Sequence, residues 1–238
     1  MKQKIKYIKD NLNEFYKLLA DCSETDLINT DNYSIYNEPN NSWANLIFNL
    51  DLNSKPNLPF SIPLMGSPIC SSKTKEILEQ NYTSNGFWQG MSLNRNTLFP
   101  VSNNLEVKFN SVKSDQHFND WFKVTTALKT RKGALNKKVF SKLYITKNTH
   151  FITGKINNIT VCSCLLFIGK NTSGLFLLTV LPKFRNQGIG TELIKLVSNI
   201  SIEKNINTIT LQATHNSINV YQNLGFEKVG KFEYYSLV

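Results

Sequence analysis

One junction constrains this 238-residue chain more than any other. An apolar run, Leu175 to Val180, leads through Leu181-Pro182 into Arg185-Asn186-Gln187-Gly188-Ile189-Gly190-Thr191. Beyond the turn, Ile189, Leu193, Ile194, Val197 and Ile200 recur at helical spacing. A strand therefore passes through a basic, glycine-containing turn into an amphipathic helix. The strand is apolar throughout, which predicts a central position covered on both faces. The first N–H groups of a helix have no partner inside it. Gly188 and Gly190 carry no Cβ, so backbone donors there can close on an anion such as a diphosphate, and Arg185 can add charge-assisted contacts. A dinucleotide loop needs G-x-G-x-x-G and a P-loop needs G-x-x-x-x-G-K-[ST]. Neither pattern stands at this junction.

The flanking sequence supplies the rest of a mixed α/β domain over residues 105–238. Leu105–Val112 alternates as a strand does, and Ser114 and Asp115 can cap a helix whose apolar face carries Phe118, Trp121, Phe122 and Leu128. A second helix is expected over Leu135–Leu143. His150–Gly154 and Ile159–Phe167 flank Lys155-Ile156-Asn157-Asn158, an Asn-rich hairpin turn. After the long helix, Asn207–Gln212 reads as a strand, Asn216–Leu224 as a helix stopped by Gly225, and Phe226–Leu237 as one or two last strands. The predicted order is β-α-α-β-β-β-α-β-α-β. Residues 1–104 differ in texture. Ile5, Ile8, Leu12, Phe15 and Leu19 mark one apolar helix stripe. Short strand-like pieces follow at Tyr33–Tyr36 and Trp43–Leu50. Asn53–Ser72 holds Pro56, Pro59, Pro63 and Pro68 and reads as mostly irregular. A helix at Lys73–Gln80 and a strand at Phe87–Leu93 close this part.

The order of elements, the Arg185-Asn186-Gln187-Gly188-Ile189-Gly190 turn, and a second motif about 25 residues on together resemble the GCN5-related N-acetyltransferase (GNAT) family. That second motif is Leu211-Gln212-Ala213, Asn216, Tyr221 and Leu224-Gly225-Phe226. The resemblance implies an α/β fold with a mixed sheet, and acetyl-coenzyme A as cosubstrate. It implies cofactor contacts from Arg185, Asn186, Gln187, Gly188, Ile189, Gly190, Thr191 and Asn216. In the family the strand before the loop splays from its neighbour and pairs with the pantetheine arm, which would set Leu178, Thr179 and Val180 beside the thioester. The residue matching Tyr221 often protonates the departing thiolate, a task that suits a phenol. Residues 1–104 are then an added α/β lobe. Phe87–Leu93 is similar to the closing strand of lobes that resemble a degenerate GNAT half, and such a lobe would wall the acceptor cleft.

The general base is the weak point of this pattern. Leu175–Val180 contains no Asp or Glu. Glu106, on the first strand of the domain, and His215, beside Asn216, are the candidates, with water as the alternative. His117 and His150 have no visible partner and read as packing or surface residues. Lys129, Arg131 and Lys132 read as a solvated basic loop, with a coenzyme A phosphate or substrate contact as the alternative. The four cysteines form no CxxC pair, and Cys162 and Cys164 alternate towards one face as buried thiols, so no metal is expected.

Composition bounds the partners. The charge of +10 permits an anionic ligand but names none, and no dense Lys/Arg block argues for nucleic acid. No apolar run approaches a membrane span and no signal peptide opens the chain, so a cytoplasmic monomer or homodimer is expected. The reading is an acetyl-CoA-dependent N-acetyltransferase acting by direct attack of an amine, carried by a small molecule or a protein, in a ternary complex. Two other readings stay open: a GNAT-like acyl-CoA sensor that catalyses nothing, motivated by the missing base, and an RNA-directed acetyltransferase, motivated by the charge.

Overall fold

A computed structural model describes residues 1–23, 25–54, 62–100 and 106–237. Pro56, Pro59 and Leu105 lie outside the described residues. Helix α1 (Lys2–Cys22) buries the whole predicted stripe from Ile5 to Leu19. Four short strands follow: β1 (Ile28–Asn29), β2 (Ser34–Tyr36), β3 (Leu46–Phe48) and β4 (Leu64–Gly66). Strand β4 is a three-residue exception inside the proline-rich stretch expected to be mostly irregular. Helix α2 (Ser72–Asn81) starts at Ser71, whose side chain accepts from the Thr74 N–H, and runs directly into β5 (Tyr82–Asn94), six residues longer than the strand expected at 87–93.

The C-terminal elements keep the predicted order. They are β6 (Lys108–Ser111), α3 (Asp115–Thr125), α4 (Lys137–Leu143), β7 (Thr149–Ile156), β8 (Ile159–Ile168), β9 (Ser173–Val180), α5 (Ile189–Glu203), β10 (Thr208–Ala213), α6 (Ile218–Gln222) and β11 (Glu227–Leu237). Ser114 caps α3 by accepting from the His117 N–H, but Leu128 lies beyond the helix end. The β7–β8 turn bends through Asn157 and Asn158, both at positive φ, as a tight hairpin turn requires. Asn216 does not open α6 as an N-cap. It sits in a 3₁₀ turn, His215–Ser217, and Ser217 precedes the helix without a side-chain cap bond. Gly225, at φ 88°, ends that region. A single strand, with two register shifts, replaces the one or two expected after Phe226.

The eleven strands of the described residues join one mixed sheet in the order β1-β2-β3-β4-β11-β5-β10-β9-β8-β7-β6. Strand β5 lies between β10 and β11 and runs antiparallel to both. The part of the chain before residue 104 thus supplies an interior strand to the sheet of the part after it. Helices α1, α3 and α4 pack on one face, around Phe15, Trp121 and Phe140. Helices α5 and α6 cover the other, around Leu193, Val197 and Tyr221. Cys162 and Cys164 both enter this second core, fully buried and free. Burial pushes the Cys162 thiol up to about 12 and Cys164 well above its ordinary value, so both stay protonated. A third cluster fills the space between β2–β4 and α2.

Candidate active site

The sheet opens between β9 and β10. These parallel strands pair only at Ile209–Ser173 and Thr210–Gly174. Beyond Gly174, β10 remains paired to β5 while β9 remains paired to β8. The segment Leu175–Val180 therefore has no strand partner on its β10 side. Its pairing with β8 also carries a bulge. Phe176 faces Leu165 and Thr179 faces Ser163, so Leu177 and Leu178 together oppose Cys164. Leu177 takes the left-handed region, φ 55°, which a branched residue adopts only when its surroundings hold it there.

The predicted turn closes the split. A 3₁₀ turn, Pro182–Phe184, carries the chain away from β9, and the Arg185 Nε donates to the Val180 carbonyl at 3.0 Å. Gly188 is left-handed, φ 78°, and stands as the N-cap of α5. The first helical bond here runs from the Glu192 N–H to the Gly188 carbonyl at 3.0 Å, so the N–H groups of Ile189, Gly190 and Thr191 have no helical acceptor. A Cβ built on Gly190 would meet nothing closer than Val180 Cγ2 at 3.7 Å. Nothing in the protein demands glycine at 190. The space beside it is open to a ligand, and three N–H donors and Arg185 border it. These residues fit a diphosphate, with the helix dipole adding favourably.

A cleft of about 440 Å³ runs from the split to this turn. Leu178, Thr179 and Val180 form its strand wall, and Arg185, Asn186, Gly188, Ile189, Gly190 and Thr191 its turn and helix wall. Asn216, Val220 and Tyr221 close the side facing β10. Eleven of the thirteen residues expected from the sequence meet here. Gln187 and His215 do not line the cleft. Gln187 is exposed, its Nε2 donating back to the Lys183 carbonyl at 3.3 Å, and His215 is exposed on its 3₁₀ turn. Tyr221 is 7% exposed, and its hydroxyl makes no hydrogen bond among the described residues. Burial raises its phenol above the ordinary value, Cys164 adds to this, and Arg131 pulls the other way. The phenol is thus a proton donor at neutral pH.

No Asp, Glu or His lines the cleft among the described residues. Glu106 is exposed ahead of β6, at the far edge of the sheet. His150 lies on β7, and His117 follows the cap of α3. Arg131 corrects the expectation of a solvated basic loop. Its guanidinium turns inward, Nη1 donating to Thr179 Oγ1 at 2.6 Å and to the Leu177 carbonyl at 3.2 Å. Sequence reasoning missed it because a basic run between helices carries no mark of which member points inward. Among the described residues no group of His, Cys, Asp and Glu could hold a metal ion. No described helix is long and apolar enough to cross a membrane.

Comparison with known proteins bears on the family and the fold. Residues 114–235 match the family model of the acetyltransferase (GNAT) domain. No curated protein sequence matches the chain. Among solved structures, it resembles a GCN5-related N-acetyltransferase from Kribbella flavida with TM-score 0.68 at 9% identity, over 98% of this chain and 93% of that one. A functionally unknown conserved protein from Staphylococcus epidermidis aligns with TM-score 0.62 at 16% identity, over 89% and 93%. A GCN5-related N-acetyltransferase from Sphaerobacter thermophilus aligns with TM-score 0.62 at 11% identity, over 73% and 58%. At such identities the structures speak for the fold alone, and they agree with the family match on it. With the split strands, the orphan N–H groups of α5 and a matching domain over more than half its length, the chain belongs to the GNAT acetyltransferase family.

Proposed function

We propose that this protein binds acetyl-CoA in the cleft between β9 and β10 and passes its acetyl group to an amine by direct attack in a ternary complex. The observation that carries this reading is the six-residue stretch of β9 that has no strand partner on its β10 side among the described residues, ending at three unpartnered N–H groups of α5. The cosubstrate would supply an activated acyl thioester. The N–H groups of Ile189, Gly190 and Thr191 would hold its diphosphate, with Arg185 adding charge; Asn186 and Asn216 would flank it. The free backbone of Leu178–Val180 would align the thioester arm, and an N–H of the Val180 region would polarise the carbonyl. Tyr221, kept protonated by burial, would give its proton to the departing sulfur. His215, exposed and outside the cleft, is assigned no proton step, and water takes the amine proton. Residues 1–104 are proposed as an acceptor-side lobe, since α1 packs on the same face as α3 and α4.

Turnover tests this reading: release of free coenzyme A from acetyl-CoA over a panel of small amines, amino acids and peptides. Tyr221→Phe is expected to lower kcat by about a hundredfold or more while acetyl-CoA affinity stays within about twofold. The absence of Asp, Glu and His from the cleft lining among the described residues favours a second reading, an acyl-CoA sensor. Tight acetyl-CoA binding with no coenzyme A release for any amine would establish the sensor and remove the enzyme.

A further inference from the structure

A bulge disturbs the ladder that would otherwise satisfy its carbonyls. In β8 and β9 two such carbonyls are taken by side chains from the α3–α4 side of the sheet. Trp121 Nε1 donates to the Cys164 carbonyl at 2.8 Å, directly opposite the bulge. Arg131 Nη1 donates to the carbonyl of Leu177, the residue held at positive φ. The same Nη1 reaches Thr179 Oγ1, and Thr179 Oγ1 donates back to the Leu177 carbonyl at 3.0 Å, which closes a triangle around the bulge.

The connection that carries Arg131 is itself held at several points. The Arg131 N–H bonds the Leu128 carbonyl at 2.9 Å, and the Ala134 N–H returns to the Arg131 carbonyl at 3.1 Å. The Trp43 N–H, from the N-terminal part, donates to the Ala134 carbonyl at 3.0 Å. Among the described residues no carboxylate pairs with the guanidinium. Burying a cation without a counter-ion is costly, and here the Leu177 carbonyl and Thr179 Oγ1 are the acceptors that receive it. The role of this side chain is therefore more specific than filling space.

We propose that Arg131 is a positioning residue: by fastening the Leu177 carbonyl and Thr179 Oγ1 it locks the bulge, and so fixes the open stretch of β9 that lines the cleft. The proposal rests on the acetyl-transfer reading for its kinetic consequence, though the lock itself is a property of the free protein. A locked bulge aims the backbone of Leu178–Val180, whereas the diphosphate end of the cleft is built by α5 and does not depend on it. Loss of Arg131 should then fall on the rate and not on cosubstrate binding.

The test compares wild type, Arg131→Ala, Arg131→Lys and Thr179→Val by amide hydrogen exchange and steady-state kinetics. In Arg131→Ala, exchange over residues 177–180 is expected to quicken by about tenfold or more while α5 is unchanged. Its kcat is expected to fall by about tenfold or more with the acetyl-CoA KM within about threefold, the split that marks an interaction made only in the transition state. Arg131→Lys keeps the charge but ends in a shorter side chain whose ammonium does not reach the Nη1 position, and it should recover less than half of the loss. Thr179→Val removes one acceptor without removing the charge and should move both readouts the same way by less, which covers a poorly folding Arg131→Ala. Unchanged exchange over 177–180 in both Arg131→Ala and Thr179→Val would overturn the lock, as would a kcat near wild type in a variant whose exchange has quickened. If wild type releases no coenzyme A with any amine, the acetyl-transfer reading fails, and the exchange data still decide whether Arg131 holds the bulge.

Discussion

Gly188 and Gly190 stand two residues apart and hold their places for different reasons. Gly188 needs a left-handed backbone, φ 78°, which an L side chain adopts at a cost of about 1–2 kcal/mol. Gly190 is in ordinary helical surroundings with open space where a Cβ would go. Gly190→Ala should therefore leave stability unchanged or raise it by up to about 1 kcal/mol, read by urea denaturation. The same variant should weaken acetyl-CoA binding by about tenfold or more, through loss of a charge-assisted backbone contact. A stable variant with undiminished affinity would show that the diphosphate lies elsewhere. His150 carries the pH dependence. Burial lowers its pKa from the ordinary 6.5, and Lys204 lowers it further. In that range the unfolded chain binds the proton more readily, so stability is full above 6.5 and drains as pH falls through that value towards the folded one. His150→Gln should flatten the fall of Tm between about pH 7 and 5. The turn residues were legible because a glycine pair and an arginine before a helix have few physical uses. Arg131 was not, because only the packing of α3 and α4 on β9 says where it points.

The strongly periodic elements were readable because one side of each had to be buried. The stripe of α1, the Ser114 cap of α3 and the Asn157-Asn158 hairpin all lie where the pattern set them. Most short elements were readable too, and only β1 and β4 were not anticipated. Helix α4 has seven residues and depends on its cap: Asn136 Oδ1 accepts from the Lys138 and Val139 N–H groups, and Nδ2 donates to Glu38 Oε1 at 3.0 Å. Glu38 Oε2 has no partner among the buried groups described. Asn136→Ala should cost about 1–2 kcal/mol by denaturant titration, more than an exposed cap, because it also strips a buried carboxylate of its donor. A loss no larger than for Ser114→Ala would mean that the Glu38 contact adds nothing. The bulge in β9 was invisible in Leu175–Val180, since an apolar run shows no register. Register is decided between strands, and here by β8.

At the scale of the whole molecule the sheet is continuous from β1 to β6, and β5 stands inside it. A fragment of residues 105–238 would lack β4 and β5, leaving β11 with neither of its strand neighbours and β10 open on one side. Expressed alone it is expected to be insoluble or unfolded, and co-expression with residues 1–104 should restore soluble protein. A monomeric, cooperatively melting 105–238 fragment would show that the two parts are independent domains. Solubility and thermal melting distinguish the cases. By itself the sequence determined the family, the glycine turn before α5 and most elements, because backbone conformation at a glycine turn and the period of an apolar stripe are local properties. Tertiary structure alone decided at which pair β9 parts from β10, that β5 joins the sheet of the later residues, and that Arg131 turns inward while His215 stays outside. Each of those depends on which surfaces meet across long separations in the chain, and contacts of that kind leave no local signature for one sequence to carry.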